Sequence, residues 1–200
     1  MPGMTFWFEF ASTYSYLAAM RIGPLARDAG VEVRWRPFLL GPTFRAQGWN
    51  TSPFNIYAAK GRNMWRDVER QAAGLGLPPV VRPDPFPQNG LLAARTATFG
   101  EGAAWGPGFV RAVFTAEFAE GRDISDPAGL AALLDGLGQP GHEILARAGT
   151  DQSVKDRLRL VTDDAQAQGI FGAPSFVPDD GELFWGNDRL EEALAWAAAG

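Results

Sequence analysis

The sequence predicts an α/β protein in which a βαβ unit opens the chain, a helical block fills the middle, and a helix, a hairpin and a last helix close it. Three observations lead there. Phe6, Trp7, Phe8 and Phe10 form a short apolar run that switches at once to helical spacing at Tyr14, Leu17 and Ala18. Val31 to Pro37 then alternates apolar and polar, which is a strand signature. Near the other end, Ser175-Phe-Val177 and Leu183-Phe-Trp185 flank an Asp179-Asp-Gly181 turn, as two strands of a hairpin do.

Taken in order, the first run suits a strand buried on both faces, because it does not alternate. Ser12 is placed to cap the helix that follows, its hydroxyl accepting a hydrogen bond from a first-turn N–H. Ligands of open α/β sheets bind at such strand-to-helix mouths, where unsatisfied N–H groups and the helix dipole favour an anion. Pro24 falls inside the helical pattern and should kink or restart it. Gly30 reads as its C-cap. With the second strand this makes a right-handed βαβ unit with parallel strands. Phe38 to Pro53, with Gly41, Pro42, Gly48, Asn50 and Pro53, reads as an irregular segment long enough to line a site. From about residue 54 to 145 the pattern is mostly helical. One stripe runs from Phe54 to Leu75, and further helices cover Leu91 to Phe99, Phe109 to Phe118, Pro127 to Leu137 behind the Asp126 cap, and His142 to Ala148. Pro83-Asp-Pro-Phe-Pro interrupts them. Val154, Leu158, Val161 and Ala165 mark one more helix before the hairpin, and Asp188 with Glu191 has capping-box spacing for the last.

Composition narrows the chemistry. A chain of 200 residues, 46% hydrophobic, can build a good core. A net charge of −5 argues against a nucleic-acid surface. There is neither a long uncharged apolar run nor a basic, then apolar, N-terminal leader, so a soluble cytoplasmic protein is expected. Cysteine is absent, which excludes a disulfide shuttle within the chain and leaves any thiol chemistry to a bound cofactor. One histidine, His142, makes a His-based metal site or a serine-hydrolase triad improbable, and no metal is expected.

Ser12-Thr-Tyr-Ser15, two special positions separated by two residues between a strand and a helix, resembles the active-site arrangement of thioredoxin-fold proteins, whose redox members carry Cys at both positions. The aromatic strand followed by Ser-Thr-Tyr-Ser-Tyr-Leu-Ala resembles the kappa-class glutathione transferases and, more closely, the bacterial 2-hydroxychromene-2-carboxylate isomerases. Thr13 stands where that family carries Pro, which loosens the turn. The resemblance covers nearly the whole chain and is strongest at both ends. It implies a DsbA-like thioredoxin fold with an all-helical insertion: residues 1–40 and 150–200 form the thioredoxin-like domain, and 41–149 the insertion.

The resemblance also implies glutathione as cofactor. Ser12 would hydrogen-bond its sulfur and favour the thiolate, while Ser15 would be structural. Tyr14 would lie beside the cofactor. Gly172-Ala-Pro-Ser175 resembles the cis-proline loop, in which Ala173 and Pro174 turn backbone groups toward an extended peptide. Asn187 and Asp188 would hold the γ-glutamyl end, and Asn50 would touch glutathione or substrate. For a small aromatic acid substrate the candidates are Phe44, Trp49, Phe86 and Asn89, with Trp65 as a further ring wall, and Lys60, Arg62 or Arg66 as the cation for its carboxylate. Each has an ordinary alternative. Ser12 and Asp188 can be plain caps, the rings can be core, and the cations can be solvated helix surface. The activity implied is isomerisation of a 2-hydroxychromene-2-carboxylate to a trans-benzylidenepyruvate, with glutathione regenerated, and a homodimer is expected. A kappa-like transferase or peroxidase, and a non-catalytic binding protein, are the alternatives.

Overall fold

The computed structural model describes residues 1–46, 48–49 and 51–200. A four-stranded sheet in the order β2-β1-β3-β4 organises the chain, with β1 Gly3–Phe8, β2 Glu32–Pro37, β3 Ser175–Pro178 and β4 Phe184–Trp185. β1 and β2 are parallel; β3 runs antiparallel to both β1 and β4. The unbroken apolar run of β1 has a simple cause, since every one of its residues is buried. Met4, Phe6 and Phe8 face the main core with α1 (Thr13–Ala29) and α6 (Gly106–Phe118), whereas Trp7 faces a smaller core with Phe38, Val161, Ala165 and Ile170. Phe8 is in register with Pro37, and Trp7 with Ser175. One end of the sheet therefore gathers the exits of β1 and β2 and the entry to β3, where a thioredoxin fold places its chemistry.

The helices between β2 and β3 are α2 (Leu40–Ala46), α3 (Pro53–Ile56), α4 (Ala58–Gly74), α5 (Leu91–Phe99), α6, α7 (Pro127–Asp135), α8 (Gly141–Thr150) and α9 (Gln152–Ala167). After β4 come a 3-10 turn at Asn187–Arg189 and α10 (Leu190–Ala199). No described helix is long and apolar enough to cross a membrane.

The structure corrects four local expectations. The segment after β2 is not wholly irregular, because Leu40–Ala46 is helical. Pro42 sits in its first turn, where no intrahelical N–H is required. The Phe54–Leu75 stripe is two helices, parted at Tyr57, which is extended at φ −109°, ψ 93°. Pro24 does not divide α1; it lies on an exposed face and the helix continues across it. Asp188 and Glu191 form no capping box: α10 begins without a side-chain cap, and Glu191 pairs with Arg21 instead.

Candidate functional site

Ser12 is where the end of β1 turns into α1. Its N–H donates to the Glu9 carbonyl at 3.0 Å, closing the turn. Its backbone is extended, at φ −91°, ψ 112°, as a helix cap requires. The hydroxyl oxygen accepts from the Ser15 N–H at 3.2 Å and its proton goes to the Ala173 carbonyl at 3.0 Å, across 161 positions of sequence. That second bond ties the helix mouth to the loop before β3.

The loop is built for close approach. The Ala173–Pro174 peptide is cis. At Gly172 a Cβ would run into the indole nitrogen of Trp185, so glycine alone lets that ring lie across the loop. The Ser175 hydroxyl donates to the Gly172 carbonyl at 2.9 Å, and the Gly186 N–H to the Pro174 carbonyl at 3.0 Å. Gly186 has φ +113°, a left-handed conformation that only glycine takes without strain, and it turns the chain into Asn187–Arg189.

On the same face of α1 as Ser12's neighbour Tyr14, a chain of hydrogen bonds links three distant segments. The Tyr14 hydroxyl donates to Asp67 Oδ2 at 2.9 Å, and Gln71 Nε2 donates to the same oxygen at 2.7 Å. Asn187 Nδ2 donates to Gln71 Oε1 at 2.8 Å, and Arg21 Nε donates to Asn187 Oδ1 at 3.1 Å. Burial, then the bond to Asp67, drives the Tyr14 hydroxyl well above its ordinary pKa; it remains a donor throughout the physiological range. Asp188 is exposed, and its charge reaches Tyr14. Asn187, by contrast, is buried with both amide atoms engaged.

Behind the same turn lie two carboxyl groups. Glu117, in the last turn of α6 between Ala116 and Phe118, is fully buried, and neither of its oxygens has a partner among the described residues. Burial, followed by the charge of Glu9, raises its pKa well above the carboxylate range. Glu9, partly buried in the turn before Ser12, is raised by burial to about 7.

The described ring candidates for substrate contact each other two by two. Phe44 and Trp49 form one ring pair, 5.9 Å apart, and Trp65 and Phe86 another, 4.9 Å apart. Lys60 sits over the Tyr57 ring at 5.0 Å, Arg62 is exposed, and Arg66 is paired with Glu69. Asn89 accepts from the Leu91 N–H at 3.1 Å, which makes it a local turn contact. Asn50 lies outside the described residues. Sequence reasoning missed Arg21, Asp67, Gln71, Glu9 and Glu117. A glutamate within an apolar helical stretch was a visible signal for Glu117; partners such as Asp67 have none, because their contacts are long-range.

A polarised hydroxyl, a cis-proline corner and an anion-favouring helix mouth can bind and activate an acidic group of a small extended ligand. No cluster of metal-binding side chains occurs among the described residues.

Comparison with known proteins points the same way. The family model described as a DSBA-like thioredoxin domain matches residues 4–195. The 2-hydroxychromene-2-carboxylate isomerase of Sphingobium xenophagum is 30% identical over 187 residues, covering 93% of this chain and 93% of that protein. The protein of the same name from Pseudomonas putida is 31% identical over 192 residues, covering 92% and 89%. The solved structure of a 2-hydroxychromene-2-carboxylate isomerase superposes with a TM-score of 0.82 at 27% identity, covering 94% of this chain and 90% of the other. The chain thus belongs to the DsbA-like thioredoxin-fold family and, within it, groups with the 2-hydroxychromene-2-carboxylate isomerases.

Proposed function

We propose that this protein is a glutathione-dependent isomerase that converts a bicyclic hemiketal acid of the 2-hydroxychromene-2-carboxylate class to a trans-benzylidenepyruvate, with glutathione recovered unchanged. The observation that carries the reading is the Ser12 hydroxyl held against the Ala173 carbonyl at 3.0 Å, in a chain without cysteine.

The residues fit the cofactor by their donor set. Bound glutathione supplies the nucleophilic thiolate that the chain lacks. The Ala173 carbonyl is an acceptor suited to a peptide N–H, as in strand addition. To donate to a sulfur atom, the single proton of Ser12 leaves the Ala173 carbonyl by rotation of the hydroxyl. The hydroxyl and the α1 N-terminus then both favour the charged form of a thiol, lowering its pKa from about 8.5 toward neutrality. Asp188, exposed and 3.5 Å from the Arg189 guanidinium, offers a carboxylate to an ammonium group. Asn187 serves by fixing the turn that presents Asp188, since its own amide is committed to Arg21 and Gln71.

The test is a Ser12→Ala variant assayed with glutathione and 2-hydroxychromene-2-carboxylate. Glutathione binding by calorimetry should change only a few-fold, and turnover should fall by about a hundredfold, the scale of losing one donor to a developing anion. Undiminished turnover removes Ser12 from the mechanism. Total free thiol, counted before and after reaction, should stay constant; its consumption would make the protein a transferase or peroxidase instead. No binding at millimolar glutathione would leave a non-catalytic scaffold.

A further inference from the structure

Helix α1 holds two separate loops. At its mouth Ser12 bonds the Ala173 carbonyl, and further along Arg21 grips the turn at Asn187–Arg189 that carries Asp188. The guanidinium uses two edges. On one, Nε donates to Asn187 Oδ1 at 3.1 Å and Nη2 to the Asn187 carbonyl at 2.5 Å. On the other it is paired with Glu191. The Asn187 carbonyl also accepts the Leu190 N–H that closes the turn. One side chain of α1 thus fixes both the amide and the backbone of one residue.

The two edges differ in environment. The Glu191 side chain is 56% exposed, so that ion pair competes with water and is weak. Asn187 is buried, and its bonds to Arg21 are shielded. What they hold in place is the next residue. Asp188 is exposed, and its one charged neighbour among the described residues is Arg189. Its Oδ1 lies over Gly186, where a Cβ would stand only 2.5 Å away. The backbone of the turn, more than any side-chain partner, therefore decides where this carboxylate sits. That backbone is anchored on one side by the Gly186 N–H bond to the Pro174 carbonyl at 3.0 Å, and on the other by Arg21.

An exposed carboxylate binds an ammonium well only when it is held in position beforehand, because ordering it on binding costs affinity. Resting on the glutathione-dependent function above, we propose that Arg21 is a positioning residue for the ammonium subsite. By gripping Asn187 it fixes Asp188, and so makes the site selective for thiol peptides that carry a free α-amino-acid end. Arg21 itself touches no ligand; its donors are committed to Asn187 and Glu191. Lysine would keep the charge but not the planar fork that reaches the Asn187 amide oxygen, the Asn187 carbonyl and Glu191 together.

Isothermal titration of the full chain tests this with two peptides, glutathione and glutaryl-cysteinyl-glycine, which is the same molecule without the α-ammonium. The parent should prefer glutathione about tenfold, the scale of one charge-assisted contact. Arg21→Lys should cut that preference to about threefold or less by weakening glutathione, with the glutaryl peptide within about twofold of the parent. Glu191→Gln, which leaves both bonds to Asn187 in place, should keep the parent's preference. Should Arg21→Lys fail to fold, Gln71→Met, which frees the other amide atom of Asn187, should give the same selective loss. Equal affinity of the parent for both peptides overturns the proposal. So do an undiminished preference in the folded variant, an equal loss of both peptides, or a preference in Glu191→Gln as low as in Arg21→Lys. Each of these leaves glutathione standing as the cofactor, whereas no binding of glutathione to the parent at millimolar concentration overturns both.

Discussion

The two flanks of α1 hold their polar groups in opposite ways. On the Tyr14 and Arg21 flank, every group in the chain Tyr14, Asp67, Gln71, Asn187 and Arg21 has a partner, and the chain ties α1, α4 and the turn before α10 together. On the Tyr16 flank, rings do the packing. Tyr16 lies 5.6 Å from Phe118 and 6.4 Å from Phe114, Phe10 is 5.2 Å from Phe114, and Glu117 sits between those two α6 phenylalanines in sequence with no hydrogen bond among the described residues. The first flank is fixed by directional bonds, the second by shape. Removing a member should therefore have opposite signs: a loss of stability where a buried partner is stranded, and a gain where a buried acid is taken away.

The largest effect is expected at Asn187, which is 4% exposed and bonded at both amide atoms. Asn187→Ala strands Gln71 and part of Arg21, and should lower unfolding free energy in urea by about 2–4 kcal/mol. A loss under about 1 kcal/mol would mean that the bonds on this flank are no stronger than those to water.

Next comes Glu117→Gln, whose sign depends on pH. The folded pKa of Glu117 lies well above 4.5, so the folded protein keeps a proton that the unfolded chain gives up. Stability from this group is complete below pH 4.5 and declines as pH rises toward the folded value. Glu9 adds the same trend between pH 4.5 and about 7. Denaturation at two pH values is the measurement. The variant should match the parent near pH 4.5 and exceed it by about 1–3 kcal/mol at pH 8. Equal stability at both would show that Glu117 has a partner or water that holds it.

How far such features could be read from the sequence depends on the range of the interactions behind them. The β1 run and the Ser12 cap were legible because burial on both faces and capping leave local patterns. The α2 helix was not, because Gly41 and Pro42 look like breakers, although a first-turn proline is harmless. The capping box at Asp188 failed for a different reason. Its glutamate, Glu191, is drawn to Arg21 by a contact no local spacing can register. The same holds for the site: Ser12 and Ala173 each announced themselves through local motifs. Their mutual bond, and the Asp67–Gln71 link that braces Tyr14, join segments that only the folded chain brings together.

The smallest expected effect is at Tyr14, and it is the most discriminating. Tyr14→Phe deletes one bond to Asp67, but that carboxylate keeps Gln71 at 2.7 Å and Arg70 at 3.2 Å. No buried charge is stranded, so the loss should be about 0.5–1.5 kcal/mol by urea unfolding, the net worth of a single hydrogen bond. If the chain consists of separable links, the double variant Tyr14→Phe/Asn187→Ala should lose the sum of the two single losses to within about 0.5 kcal/mol. A Tyr14→Phe loss as large as that of Asn187→Ala, or a strongly non-additive pair, would mean that the links hold only together. The Tyr14 flank would then act as one rigid brace under the Ser12 corner, and the contrast with the ring-packed flank would be sharper than the individual bonds indicate.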